Sequence, residues 1–318
     1  MERQAMKISP RTEKVLKVIM GSYIVLQVLF VIVFAMYPPV GAVAMVLVGR
    51  GPACGIGESI SSFYRRWGML NRQNTAFQAS RLVKKQDGFQ LISTPWGEMW
   101  EPEIKGTATV AQIAEIEGKY ENFPGSPIHK GDVVLDCGAN VGTETLWALK
   151  QGAGLVVAIE PSPINVEVLR RNFAKEIEQG RVIVYPKGVW DKDDVLELHL
   201  NDDTSAMDSF LLKRVASNKV VKAPLTTIDK MVQELKLERV DFIKMDTEGA
   251  EKKALAGGAN TIKKFKPRME ISVDHLPEDP KEVPAIITAM NTSYRTRCLV
   301  CDADWAKWKV NSTILFFE

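Results

Sequence analysis

The sequence carries no strong excess of either charge: 41 Lys and Arg stand against 39 Asp and Glu, a formal net charge of +2 over 318 residues. Bulk charge therefore implies no polyanionic partner, and no nucleic acid is expected. Cysteine is scarce, with four in all, too few in a chain of this length for a disulfide-stapled scaffold. Cys298 and Cys301 form a single C-x-x-C with no second pair and no histidine at ligand spacing. Zinc is not implied, and the two read as ordinary strand residues. There is no internal repeat and no low-complexity tract. What remains is an ordinary globular balance, 46% hydrophobic and 25% charged residues, with ample material for a core.

One local absence is more telling. Val18 to Tyr37, "VIMGSYIVLQVLFVIVFAMY", contains no charged residue. An apolar run of about 20 residues matches the length of a membrane-crossing helix, and it has no polar stripe for a soluble packing partner. Pro38-Pro39 breaks it, and a second apolar stretch follows over Val40–Gly49, too short to cross alone. Five Lys and Arg precede the run in residues 1–17, and seven occupy residues 50–85. Basic flanks on both sides fit a hairpin with both ends in the cytoplasm, whereas the charges nearest the run make the amino end the cytoplasmic one, and a single crossing would then put the large domain outside. The expected organisation is a basic tail (1–17), a membrane segment (18–49; helix 18–37, then the Pro-Pro break and 40–49), a basic connector (50–87) and a catalytic domain (88–318). The lipid bilayer is thus an expected partner, and the protein is expected to be integral to the membrane with its catalytic domain on the cytoplasmic side.

Beyond the connector, Gly88–Pro102 reads as a hairpin turning at Thr94-Pro-Trp-Gly97, and residues 107–121 read as a helix. From Val133 onward strands and helices alternate. Strands are expected at Val133–Asp136, Leu155–Glu160, Arg181–Pro186, Val195–Leu200, Val240–Met245, Met269–Val273, Arg295–Val300 and Thr313–Phe317. Helices are expected at Gly142–Lys150, Pro163–Glu178, Thr226–Leu235, Glu248–Phe265 and Pro280–Met290. That alternation predicts an α/β, doubly wound and mostly parallel sheet. Ligands of such sheets sit at the carboxyl ends of the strands, where strand order reverses.

The first of these strands runs into Asp136-Cys-Gly138-Ala139-Asn140-Val-Gly142. The turn is neither the dinucleotide fingerprint G-x-G-x-x-G nor a Walker A cradle. It resembles D-x-G-x-G-x-G with Asn140 in the middle glycine slot, and Asn tolerates positive φ. Its backbone amides are expected to face a ligand. The second strand ends on Glu160, an acid placed to accept hydrogen bonds from ribose hydroxyls. An adenosine-type cofactor without a diphosphate fits this pair, S-adenosylmethionine in particular.

The stretches "VVLDCGANVGTETL", "IEPSPINVEVLRRN", "TTID" and "VDFIKMDTEGAEKKALAGGA" resemble the FkbM-type methyltransferases, and "STPWGEMWEP" and "PRMEISV" resemble that family's flanking elements. The resemblance covers about Gly88 to Phe317. It implies a Rossmann-like, seven-stranded class I methyltransferase sheet, with S-adenosylmethionine on the Gly138–Gly142 turn and Glu160 on its ribose. The expected cofactor-binding residues are Asp136, Gly138, Ala139, Asn140, Gly142, Glu160, Pro161, Gly188 and Val189. Cys137 departs from the aliphatic residue more usual there.

Methyl transfer to a hydroxyl is an in-line displacement that needs aligned reactants and a proton acceptor. Asp246 closes the strand Val240–Met245 at the crevice, and Glu248 follows it. Glu270 is a polar residue within a strand and needs a partner. His275 stands just past that strand, with an unperturbed pKa suited to general-base work. These four are the catalytic candidates. No metal is expected, and Asp246 is the residue that would ligate Mg²⁺ if one bound. The polar loop Leu200–Arg214 is expected to shape the acceptor pocket, through Ser205 and Asp208. The function expected is membrane-anchored O-methyl transfer to a hydroxyl of a small-molecule, glycan, glycolipid or lipid-linked acceptor. A catalytically inactive scaffold or binding protein of the same fold is the alternative.

Overall fold

In a computed structural model, the described residues are 11, 14, 17–25, 38–51, 54–103, 108–121, 123, 125–200, 208–211, 220–304 and 306–318. The amino-terminal flank contributes helices α1 (Pro38–Leu47) and α2 (Ile56–Ala79), then a three-stranded antiparallel sheet of β1 (Arg81–Gln86), β2 (Phe89–Thr94) and β3 (Gly97–Pro102), and helix α3 (Ala108–Tyr120). The β2–β3 hairpin turns where the sequence predicted. The Thr94 hydroxyl accepts from Trp96 N–H at 3.1 Å and donates to Gly97 O at 2.7 Å, and Gly97 takes φ 120°, a value open to glycine alone.

The catalytic sheet has seven strands in the order β12-β13-β11-β10-β4-β5-β6. These are β4 (Val133–Cys137), β5 (Leu155–Ile159), β6 (Val182–Tyr185), β10 (Phe242–Met245), β11 (Arg268–Ser272), β12 (Thr296–Asp304) and β13 (Lys309–Phe317). β4, β5, β6, β10 and β11 run parallel, whereas β13 is antiparallel to both β11 and β12. Both faces are covered, so the central strands bury nearly every side chain, as parallel strands must. Strand order reverses beside β4, and β10 lies on its other flank, so a crevice opens at their carboxyl ends. A second small sheet, β7 (Gly188–Val189), β9 (Val220–Thr226) and β8 (Asp194–His199), lies in that order at the same end.

Several elements differ from expectation. After helix α4 (Thr143–Lys150), residues 163–178 form two helices, α5 (Pro163–Asn172) and α6 (Ala174–Glu178), separated at Phe173, whose ring is buried among the core side chains. Residues 248–265 likewise divide, after an opening turn, into α8 (Glu251–Gly257) and α9 (Ala259–Phe265), following α7 (Ile228–Glu234). Gly258 separates the two helices, and Gly257 before it lets the Trp190 carbonyl approach, since a Cβ there would lie 2.0 Å from Trp190 O. Strand β9 was not expected, because Lys222 and Pro224 within it mask its alternation.

The amino-terminal flank is the largest correction. The connector expected over 50–87 contains the 24-residue helix α2, which packs against α3 and β12. Part of the apolar run, residues 26–37, lies outside the described residues. Among the described residues no helix is long and apolar enough to cross a membrane, so the membrane helix expected in the fold has no support. The second apolar stretch is helix α1. Its Ala42 and Met45 are buried in the main core with Val310 and Leu315 of β13, so part of this stretch seals the edge of the catalytic sheet. Cys54 and Cys298 form a disulfide across 244 residues, so Cys298 is not the ordinary strand residue expected.

Candidate active site

The turn after β4 is built by three residues at positive φ: Gly138 (80°), Asn140 (52°) and Gly142 (93°). Gly138 is required twice over, because a Cβ there would also lie 1.9 Å from Asp246 O. The amides of this turn are engaged within the protein. Gly138 and Ala139 N–H both donate to Ile159 O at 3.0 Å, and Gly142 N–H donates to Ala139 O. Asn140 N–H donates to Glu160 Oε2 at 2.8 Å, and Val141 N–H donates to the side chain of its neighbour Asn140. The expected row of outward amides is therefore corrected. What the turn presents is a shelf of bare backbone, tied to β5 by its own nitrogens.

Glu160 is the brace of that shelf. Its Oε2 takes Asn140 N–H and its Oε1 takes Ser162 N–H at 2.9 Å. Burial raises its pKa to about 7, against the lowering effect of those two amides. Oε1 also accepts from Asn165 Nδ2 at 3.5 Å, so Oε2 is the oxygen that keeps a lone pair for a further donor. Glu160 lines a cavity of about 360 Å³ together with Gly138, Ala139, Asn140, Pro161, Gly188 and Val189, a volume suited to a small-molecule ligand.

Two expected cofactor residues are elsewhere. Asp136 is buried beneath the turn, where its Oδ2 accepts from the Thr145 hydroxyl at 2.6 Å and Lys244 Nζ stands 3.5 Å from its Oδ1. The parallel register sets Lys244 beside Asp136, and Lys244 also donates to Gly138 O at 2.8 Å. Asp136 thus holds the turn from below. Gly142 is not a wall residue either. It is packed on Phe173, whose ring would be 2.3 Å from an added Cβ.

The far wall of the cavity comes from α3, through Gln112, Glu115, Ile116 and Lys119. Asp246, Thr247 and Glu248 face it from the end of β10, and Asp208 and Phe210 close one side. Glu248 holds φ 55° and Gly249 φ 100°, a conformation uncommon for a non-glycine residue and frequent near functional sites. Ser205 lies outside the described residues.

The methyltransferase FkbM domain family matches residues 136–297, more than half of the chain. The protein belongs to the FkbM methyltransferase family. Membership implies S-adenosylmethionine as its methyl donor. A relative, the 31-O-demethyl-FK506 methyltransferase FkbM of Streptomyces tacrolimicus, is 25% identical over 187 residues, covering 47% of this chain and 72% of that protein. The crystal structure of an FkbM methyltransferase from Methylobacillus flagellatus is 20% identical over 68% of this chain, with a TM-score of 0.43, and the chain spans 56% of that protein. Trm5b of Pyrococcus abyssi is 12% identical over 76% of this chain and 56% of its own, with a TM-score of 0.38.

Within this FkbM domain the four catalytic candidates have different surroundings. Asp246 and Glu248 line the cavity. Burial would raise the Asp246 pKa, but Lys244, His275 and Lys119 together lower it below the ordinary value, so Asp246 is ionised at neutral pH. Glu270 also lines the cavity floor, but it is committed to a buried network. Lys119 Nζ donates to its Oε1 at 2.6 Å, Tyr120 donates to its Oε2, and Lys119 also pairs with Glu144. Tyr120 in turn stacks on Trp147 at 4.1 Å. That network gives Glu270 the partner it needs and makes it a support of the wall rather than a free base.

His275 sits behind the acids. Its Nδ1 is 3.1 Å from Glu251 Oε1, and its Nε2 is 3.5 Å from both Asp246 Oδ1 and Glu248 Oε2. Burial acts to lower its pKa, but Glu248, Glu251 and Asp246 raise it to about 11. An imidazolium at neutral pH has no lone pair to take a proton, so the general-base reading of His275 is corrected. One atom each of Asp246, Glu251 and His275 lies within 4.8 Å of the others, and these three could hold a divalent cation, though the imidazolium already balances the acids.

Glu115 was missed by sequence reasoning. It reaches solvent through the cavity, yet the surrounding walls desolvate it enough to raise its pKa. Lys119 opposes that rise, while Asp246, Glu144 and Asp274 add to it. Its only sequence signal is a place on an amphipathic helix upstream of the motif region, and nothing local ties that helix to the crevice.

Proposed function

We propose that the protein is a membrane-associated O-methyltransferase whose acceptor is a hydroxyl of a glycan, glycolipid or lipid-linked molecule, with the catalytic domain on the cytoplasmic side. The observation that supports the transfer reading best is that Glu115 and Asp246 share one cavity with the Gly138–Asn140 shelf and Glu160. S-adenosylmethionine supplies an electrophilic methyl group on a cationic sulfonium. The residues present fit it: Gly138 keeps the shelf free of side chain, Glu160 retains acceptor capacity for ribose hydroxyls, and the carboxylates of the cavity suit a cation.

The wall residues then have separable tasks. Gln112 and Glu248 are placed to orient the acceptor. Phe210 covers one side and helps exclude water. Glu115 is the proton acceptor that we favour, because a carboxylate with a raised pKa is a stronger base than the depressed Asp246. Asp246 stays ionised and stabilises positive charge near the transferring group. Oxygen as the acceptor atom agrees with the name of the Streptomyces relative, a 31-O-demethyl-FK506 methyltransferase.

The membrane part of the proposal rests on where apolar surface is left. Val18, Ile19, Met20, Tyr23, Ile24 and Val25 are each more than half exposed, as are Leu47 and Val48. Exposed apolar residues in such number are the kind of surface that a membrane would cover. Calorimetric titration of S-adenosylmethionine into the purified protein should show binding that Glu160→Ala weakens. An absence of heat at millimolar cofactor overturns the enzyme reading. Sedimentation with phosphatidylserine vesicles tests the membrane part separately, and protein left in the supernatant refutes it.

A further inference from the structure

Away from the cavity, the three cysteines Cys54, Cys298 and Cys301 meet at the outer edge of the catalytic sheet, and their sulfur atoms all lie within 4.8 Å of one another. All three are buried. Residues three apart on a regular strand point to opposite faces, so Cys298 and Cys301 should diverge. They do not, because β12 shifts register against β13 between Cys298 and Val300 and again between Val300 and Cys301. A Cys54–Cys298 disulfide needs only one strand cysteine. The irregularity brings in the second. Ser312, the cross-strand partner of Cys301, places its hydroxyl 3.3 Å from Cys54 Sγ. Three sulfurs thus converge in one buried place, with the Ser312 hydroxyl beside one of them.

We infer that the reduced chain binds one thiophilic divalent cation of the zinc class on the thiolates of Cys54, Cys298 and Cys301. Metal–thiolate distances of about 2.3 Å in a tetrahedral shell require sulfurs roughly 4 Å apart, so the Cys54 and Cys298 sulfurs, bonded in this structure, must separate on reduction while all three stay within the 4.8 Å neighbourhood they already share. Thiols on the cytoplasmic side are kept reduced, and the cytoplasmic placement proposed above makes the reduced form the relevant one there. Reduction breaks the Cys54–Cys298 bond. A thiol or phosphine reductant gives two electrons, is itself oxidised, and two protons complete the thiols. The cation then replaces three thiol protons, three metal–sulfur bonds form, and the protons pass to solvent. The Ser312 hydroxyl is the fourth, oxygen donor. The site would fasten the chain leading into α2 to strand β12, a link made covalently by the disulfide in the oxidised form.

The test uses the full-length protein, reduced with a phosphine under nitrogen and titrated with Co²⁺ alone. One Co²⁺ per chain should bind with a sulfur-to-metal charge-transfer band, and Zn²⁺ should displace it. Cys301→Ser should weaken binding at least tenfold. Its oxidised form should still yield the Cys54–Cys298 disulfide on peptide mapping, which shows that the fold is intact. No charge-transfer band in the reduced wild type, or equal binding by Cys301→Ser, overturns the inference and leaves a disulfide with a neighbouring thiol. Neither measurement involves cofactor or acceptor, so failure here is distinct from failure of the methyltransferase reading.

Discussion

The two halves of the cavity are held by different physics. The half proposed for the methyl donor is a short backbone turn, closed by hydrogen bonds from Gly138, Ala139 and Asn140 to β5 and its final acid. The half proposed for the acceptor is assembled from α3, the end of β10, Asp208 and Phe210, and a buried ion network joins Lys119, Glu144, Glu270 and Tyr120 beneath it. A backbone-built site is insensitive to most side-chain changes. A wall built from distant charged side chains can be altered residue by residue.

The contrast breaks most severely at Lys119. Lys119→Met leaves Glu270 buried without its cation, which should cost ~3–5 kcal/mol, read as a lowered midpoint in urea denaturation. Adding Glu270→Met should recover much of that loss. A cost under about 1 kcal/mol, the range of an exposed ion pair, is incompatible with a structural network. Next in size is Glu115→Gln, which should reduce labelled methyl transfer to acceptors in membrane extracts by roughly 100-fold or more. Affinity for S-adenosylmethionine should stay unchanged. Loss of cofactor affinity in this variant would erase the division into two halves.

The smallest effect belongs to the donor half. Glu160 has its pKa raised to about 7 by burial, above an unfolded value of 4.5. A raised carboxyl favours the native state below the unfolded value, and that advantage is lost as pH rises through about 7. Cofactor binding follows the opposite course, because the ionised form accepts both the Asn140 amide and a ribose hydroxyl. Affinity should fall roughly tenfold between pH 8 and pH 6, measured by calorimetry, while Glu160→Gln should be flat across that window.

The donor half was the more legible in sequence, since its parts are contiguous. Gly138, Asn140 and Gly142 announce a turn that needs positive φ, and Glu160 follows at the end of the next strand. Even so, the direction of the turn's amides was not readable. It depends on Ile159 O and Glu160 arriving from a neighbouring strand. In the acceptor half, Asp246 and Glu248 were visible as strand-end acids. Glu115 was not, because it lies on a helix that reaches the crevice only by packing. Glu270 was recognisable as a polar residue in need of a partner, but Lys119 and Tyr120 stand some 150 residues away. His275 looked like a base because a lone histidine titrates near neutrality, and only the convergence of three carboxylates makes it a lasting cation.

The same limit applied to the amino-terminal flank. Apolar composition over Val40–Gly49 could not distinguish lipid from protein as the covering phase, since both remove the same surface from water. Met45 and Ala42 meet β13 only once the sheet exists. The alternation of strands and helices, the tight turn after β4 and the acid closing β5 were properties of the sequence alone, because each follows from residues near one another and from the periods of the backbone. The pairing of Lys244 with Asp136, the charge on His275, the place of Glu115 and the meeting of three cysteines belonged to the tertiary structure, because charge and burial depend on neighbours that only folding brings within a few ångströms.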